Sequence, residues 1–579
     1  MRNRALFARI GLATLAGLFF ACASIDRRLP AADLVDYPRI FEFSRNFLIR
    51  PPARTLGESL LLESVHAPEA SFKIKDIAET QIVDVFARNP TLLPADGQPA
   101  RVLGVGDLAA FDHFDPRNHV RLLPPAGHPG YEDLQLFVNH PHYVSDTRVP
   151  AAENSHLMPA DDLRTVWLDF LKSAQRKIIV NVFDFDLQAV ADVLVEKSRA
   201  GLEVKVGIDN GVIRARKPVK KIYDFLVANG VDVTAVSGVG LNHQKIVAID
   251  WDSVDEARVL VSSGNLTQSC LGPGGDLEPL GLHHRFSVPN ANHVLTMKSW
   301  LLANLVRHEL LKTLAPLQLR GAEYPLSGSY QITGPGVDPL TPEFNPSPSF
   351  SLAFSPGGGG GQINKTMIAD VIERTHGPLA MVQFAFSSSA VGGALLQRAL
   401  REIQAGRHFE FTGIGDTPFS MQYWSQFLKM SGLKLQMLED QPRAYVEDEA
   451  SDWRAALGPD ELLRLRKRIR IAPDLYGTHS VKIQNKKYGV TSKLHHKVLV
   501  SEDYAILGTS FNFSEGAETN NEQMLVFRDA ALADQARGLI QWISNNSKHT
   551  IYDEALRRNK FKKYTDESAD ELPSEVSDP

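Results

Sequence analysis

The chain has little cysteine, no long apolar run beyond its first residues, and no strong excess of one charge. Two cysteines, Cys22 and Cys270, stand among 579 residues. If Cys22 is modified or removed, Cys270 has no partner, which excludes an intrachain disulfide framework. Lys and Arg number 62 against 68 Asp and Glu, a net charge of −6. That balance argues against a wholly basic nucleic-acid coat. No stretch after Phe20 is apolar for long enough to span a bilayer. What remains is ordinary globular material, 43% hydrophobic and 22% charged. Its length can bury two sizeable cores.

The N-terminus carries a targeting pattern. Arg2 and Arg4 precede an apolar run from Leu6 to Phe20, interrupted by Arg9. The core of that run is too short for a span and reads as a signal-peptide segment. Ala21 and Ala23 allow cleavage there, and Cys22 between them resembles a lipoprotein box. Residues 1–23 are therefore expected to be a signal peptide of lipoprotein type, with Cys22 lipidated. The mature protein would sit in the cell envelope as a periplasm-facing lipoprotein of the outer membrane, or would be secreted.

A repeated phrase is the most informative presence. His243-Gln244-Lys245 leads through an apolar stretch to Asp250 and then Ser263-Gly264-Asn265. His495-His496-Lys497 leads likewise to Glu502 and then Ser510-Phe511-Asn512. Residues at i and i+2 of a strand share a face, so each His sits beside its Lys. Histidine suits nucleophilic or acid–base work near neutral pH. Lysine is a compact cation for phosphate, and an asparagine amide adds a neutral donor. One His-x-Lys arises readily by chance; two in matching context do not. Two such sets would surround one phosphodiester.

These residues resemble the HKD motif of the phospholipase D superfamily. The first copy matches through His243, Lys245 and Asp250. The second has Glu502 where the family pattern has Asp, with Asp503 beside it. Asn521-Glu522 resembles the family's strand after the second motif, and Glu522 is expected to support the site. The corresponding stretch of the first half, read as Leu282-His283-His284-Arg285-Phe286, departs from it. The resemblance implies a phosphodiesterase working through a phosphohistidine, without metal or other cofactor. Its implied catalytic set is His243, Lys245, Asp250, His495, Lys497 and Glu502, with His243 as nucleophile and His495 as acid/base. Asn265, Asn512, Ser263 and Ser510 are the implied phosphate-binding set. Asp250 and Glu502 are equally able to fix the local fold.

The flanks repeat too. A helical stretch from Leu163, a strand from Lys177, a helix to Arg199, then Gly201 and a strand from Glu203 have counterparts at Ile363, Leu379, Val391–Ile403, Gly406 and Phe409. Strand–helix–strand with Gly after the helix reads as a βαβ unit. Each half is expected to close with a helix, over Ala291–Leu311 and Ala530–Asn545. The fold class is thus α/β, with two similar phospholipase D-like halves, each a mixed sheet flanked by helices, sharing one cleft. The expected division is 1–23 signal peptide, 24–157 accessory region packing on the first half, 158–314 first half, 315–361 Pro/Gly-rich connector, 362–550 second half, and 551–579 a charged, disordered tail.

Lys and Arg clusters flank both motifs, at Arg214–Lys221 and at Arg464–Arg470 with Lys482–Lys493. They fit either a solvated helix face or a positive rim for an anionic substrate. Two substrates stay open. A phospholipid at a membrane surface, hydrolysed or transferred, is the first expectation, and DNA or RNA is the alternative. A monomer is expected. His113, His119, His128, His140 and His142 follow no ligand spacing, and no metal site is assigned to them.

Overall fold

In a computed structural model the described residues are 131–139, 161–237, 240–271, 290–314, 329–333, 349–355, 363–438, 441–473, 477–483 and 486–569, with five short strands between residues 47 and 122. The signal segment with Cys22, the five histidines from His113 to His142, the stretch Leu282–Phe286, the glycine run and residues 570–579 lie outside them.

The Lys245–Ile249 strand explains the architecture. All five of its residues are buried. Ile246 and Ala248 enter one apolar core, and Val247 and Ile249 enter another. A strand buried on both faces reads as a continuous apolar run and belongs at the centre of a layered fold. Its neighbours are Lys177–Val182 and Arg258–Ser262, both antiparallel to it. The full order is Glu132–Val138, His293–Lys298, Arg258–Ser262, Lys245–Ile249, Lys177–Val182, Glu203–Asp209, Asp232–Val236.

The second sheet repeats this order strand for strand. It runs Ile469–Ile471, Phe411–Gly415, Leu379–Gln383, Lys497–Ser501, Tyr504–Leu507, Glu522–Arg528 and Ser349–Ser355, then adds Ser329–Thr333 and Val120–Leu122. In both halves the first three strands at the βαβ edge are parallel. The crossover helices, Gln188–Arg199 and Ser389–Gln404, turn back at Gly201 and Gly406, whose φ values of +92 and +71 favour glycine. Both sheets bury an inner face in one shared core, with Val259, Val261 and Leu295 from one half and Val498, Leu507 and Leu525 from the other. The helices Trp300–Leu314 and Ala530–Asn546 fill that core as well.

Four expectations are corrected. Residues 293–298 form a strand, not the start of a helix, because they pair along Arg258–Ser262; the helix begins after Ser299, whose hydroxyl accepts from the Leu302 amide. The connector supplies two strands, Ser329–Thr333 and Ser349–Ser355. Phe350, Leu352 and Phe354 alternate into the shared core, so this segment has strand periodicity beneath its Pro and Gly. The accessory region divides its pairing, with Glu132–Val138 joining the first sheet and Val120–Leu122 the second. The tail forms a helix over Ile551–Ala569. Ile551 and Ala555 are buried, and buried Glu554 accepts from Arg557 at 2.6 Å and Arg558 at 2.8 Å.

Candidate active site

Both histidines precede the central strand of their half, and each is held by the other half. The His243 amide donates to the Asn521 carbonyl at 2.9 Å, and Asn521 donates back to Leu241 at 2.8 Å. The His243 ring places Nδ1 2.8 Å from Glu522 Oε2. Reciprocally, the His495 amide donates to Ala291 at 2.9 Å, and Ala291 donates to Lys493 at 2.8 Å. The His495 ring places Nδ1 2.9 Å from Asn292 Oδ1. Phe183 meets His243 at 5.0 Å between ring centres, and Phe384 meets His495 at 4.6 Å. The two motifs therefore form one pseudo-twofold site whose halves complete each other.

The lysines lie inside the protein. Lys245 and Lys497 are both fully buried. Lys245 Nζ donates to the His243 carbonyl at 2.5 Å, and Lys497 Nζ to the His495 carbonyl at 2.9 Å. Lys497 Nζ also lies 3.1 Å from His495 Nδ1. Burial lowers Lys245 to about 8, against the opposing pull of Glu522. Burial lowers Lys497 well below the ordinary lysine value, and Lys245 adds to that. His243 is lowered by burial while Glu522 pulls it up; His495 is lowered further by burial, with Lys497, Lys245 and His243 acting in the same direction. Two lysines and two histidines thus converge near Glu522, with Asp184, Asp209 and Asp416 also near enough to act on the lysines. The donors of the lysines and histidines suit an anion with several acceptor oxygens.

The asparagines occupy equivalent positions in the two halves. Asn265 and Asn512 each leave a buried Oδ1 without a hydrogen-bond partner among the described residues. An amide oxygen only accepts, so this atom awaits a donor, and only the Nδ2 group of each side chain can serve a phosphate oxygen. The serines do a different job. Ser263 Oγ donates to Asn292 Oδ1 at 3.1 Å and accepts from the His293 amide at 2.9 Å. Ser510 Oγ accepts from the Gln523 amide at 2.7 Å. Both hydroxyls are fully buried and fix the strand that carries the histidine's partner.

Asp250 and Glu502 do not reach the histidines. Asp250 sits at the far end of its strand and accepts from the amides of Gln175, Arg176 and Lys177 at 2.9, 2.8 and 2.9 Å. Glu502 accepts from His376 and Gly377 at 2.6 and 2.8 Å. Both have φ near 50°, so each closes a tight left-handed turn. The side chains that meet the histidine rings are Glu522 and Asn292. The first-half counterpart of Glu522 is thus Asn292, not a residue of Leu282–Phe286.

Two further acids escape sequence reading. Asp209 accepts from the Asn242 amide at 2.9 Å, and Asp416 from Leu494 at 3.0 Å. Each steadies the residue before a histidine, and burial pushes Asp416 up to about 6. Their signal was present, since both close the second strand of a βαβ unit. Part of the basic rim is already paired, Arg216 with Asp184 and Asp186, Lys220 with Asp224, and Arg466 with Glu447.

Residues 167–277 match the family model described as "Cardiolipin synthase, PLD-like domain". Over those residues the chain is similar to a phospholipase D-like domain. The second half repeats the arrangement of the first with partners exchanged. No curated protein is detectably similar in sequence. Among solved structures, phosphatidylserine synthase of Haemophilus influenzae is 15% identical, covers 71% of this chain and 92% of its own, with TM-score 0.43. Nuc from Salmonella typhimurium, a phospholipase D family member, is 14% identical, covering 31% and 94%, with TM-score 0.23. NucT from Helicobacter pylori is 13% identical, covering 32% and 96%, with TM-score 0.21.

Proposed function

We propose that the protein hydrolyses or transfers phosphatidyl groups of phospholipids through a covalent phosphohistidine. The observation that carries the chemistry is the reciprocal bonding, His243 to Glu522 and His495 to Asn292. With Nδ1 engaged by Glu522, His243 offers Nε2 to phosphorus. The N–P bond forms as the P–O bond to the leaving alcohol breaks, and His495 gives that oxygen a proton. His495 then takes a proton from water or an acceptor alcohol, whose oxygen attacks phosphorus. The P–N bond breaks and His243 returns. Lys245, Lys497, Asn265 and Asn512 hold the non-bridging oxygens and balance the charge of the transition state.

The lipid reading is supported by the family description and by exposed apolar side chains on segments next to the histidines, Leu241 (41% exposed) and Tyr423 (66%). Among the described residues no helix is long and apolar enough to cross a membrane, so contact with lipid would be at the surface. Placement in the cell envelope rests on residues 1–23 alone. One specific observation favours nucleic acid instead. Phe384, Phe419 and Trp424 pack in series away from His495, at 4.2 and 6.2 Å between ring centres, with Lys493 over Phe384 at 5.7 Å. Aromatic rings beside a cation suit stacked bases.

The test is to incubate wild type, His243→Ala and His495→Ala with labelled phosphatidyl lipids and with plasmid DNA, in EDTA. Headgroup release by wild type alone supports the lipid reading. DNA cleavage without lipid turnover sinks it. Activity surviving in both variants sinks the shared-site mechanism.

A further inference from the structure

The site is symmetric in backbone but not in charge. Glu522 and Asn292 occupy the same place relative to their histidines, and one is a carboxylate while the other is an amide. The orientation of that amide is set by its neighbours. Asn292 Nδ2 donates to the carbonyls of Asn290 at 2.8 Å and Cys270 at 3.1 Å. Carbonyls only accept, so the NH₂ must face them and Oδ1 must face the other way. Oδ1 then accepts from Ser263 Oγ at 3.1 Å and meets His495 Nδ1 at 2.9 Å. An amide oxygen is also acceptor-only, so His495 Nδ1 carries the hydrogen toward it; the Lys497 ammonium, 3.1 Å from Nδ1 and 3.3 Å from Nε2, then has only the Nε2 lone pair of the ring to donate to.

We infer that Asn292 is a positioning residue that fixes the tautomer of His495 and keeps its ring neutral between turnovers, so that His495 shuttles the proton while glutamate-backed His243 bears the phosphoryl group. This rests on the phosphodiesterase reading for its kinetic half only. The physical reason is charge. A phosphorylated imidazole is cationic, and Glu522 balances it within hydrogen-bond distance. Asn292 offers a dipole but no charge, so a proton on His495 is not retained. The groups facing His495 act in the same sense. Lys497, Lys245, Lys493 and His243 all disfavour a positive ring. Asp416 is committed to the Leu494 amide, Glu522 to His243, and the Cys270 carbonyl to Asn292. A bound phosphodiester adds the missing negative charge; His495 takes up a proton from solvent with it, gives that proton to the leaving oxygen, and releases to solvent the proton it later takes from the attacking water or alcohol when the product leaves.

The experiment is ¹⁵N observation of the histidine rings in the full, substrate-free chain, wild type and Asn292→Asp, with kcat/KM against pH for bis(p-nitrophenyl) phosphate. His495 is assigned by its loss in His495→Ala. Wild type should show His495 protonated at Nδ1 and bare at Nε2 at pH 7, with a titration midpoint below that of His243. Asn292→Asp places a carboxylate against the ring and should raise that midpoint by about 1–3 pH units. The optimum of kcat/KM should move to higher pH with it. An Nε2–H tautomer in wild type overturns the inference without any variant. So does a folded Asn292→Asp whose ring midpoint and optimum stay in place. Absence of phosphodiesterase activity in wild type would count against the functional reading and leave the ring measurement to decide this one.

Discussion

Replacing Glu522 by Gln keeps the shape of the side chain and removes one fully buried negative charge. The variant makes the first half resemble the second, where an amide already backs the histidine. Glu522 Oε2 lies 2.8 Å from His243 Nδ1. A hydrogen bond to a charged group contributes about 1.5–3 kcal/mol. Two unit charges about 4 Å apart attract by about 4 kcal/mol at an effective dielectric of about 20, which sets the upper limit. If the ring is cationic only while phosphorylated, this attraction is lost from the transition state and not from substrate binding. At about 1.4 kcal/mol per tenfold, kcat should fall about 10- to 150-fold, and by no more than about 700-fold, with KM little changed. The pH profile gives a second readout. Glu522 pulls the His243 pKa up, so its removal lowers it further, and the acid limb should move to lower pH. Glu522 also pulls Lys245 and Lys497 up, so both should lose their charge at lower pH than in wild type. The assay is steady-state hydrolysis of bis(p-nitrophenyl) phosphate from pH 4 to 10, with thermal unfolding as the control for folding. A folded Glu522→Gln enzyme within threefold of wild type, or one whose loss is entirely in KM, would refute the reasoning.

Other outcomes follow from the same contacts. Asp250→Ala frees three amide donors and should lower thermal stability by about 1–3 kcal/mol, while the protein that remains folded keeps near wild-type kcat; a large kcat loss without a stability loss would restore Asp250 to the catalytic set. Lys245 is charged below about 8 and neutral above it, so KM for an anionic diester should rise as pH passes that value, and Lys245→Arg should abolish the rise in any variant that still turns over. A Cβ at Gly264 would lie 2.9 Å from Asn292 Cγ, so Gly264→Ala should displace that amide and cut kcat at least tenfold; unchanged kinetics would mean Asn292 is not held as described. Trp424→Ala should raise KM for a single-stranded oligonucleotide if the aromatic series stacks bases, and leave it unchanged if the leaving side of the cleft takes lipid.

The repeated His-x-Lys phrase, its Ser-x-Asn sequel and the strand–helix–strand flanks were legible because they are local. Periodicity fixes which residues share a face, and glycine after a helix marks its end, so the strand–helix–strand units and the two motif strands could be read in order. What could not be read depends on contacts between distant positions. The partner of His243 lies 279 residues away and that of His495 lies 203 away. Asp250 and Glu502 looked catalytic because they follow the motif at fixed spacing, yet a five-residue strand carries them to the opposite end of the sheet, where they close turns. The connector and the tail looked structureless from composition, although Phe350, Leu352 and Phe354 enter the core that both halves share, and Ile551 and Ala555 enter a core of the second half. The sequence alone therefore determined the reactive groups and the scaffold that carries them. Only the tertiary structure decided that one histidine is backed by a carboxylate and the other by an amide, because each receives its partner across the interface between halves.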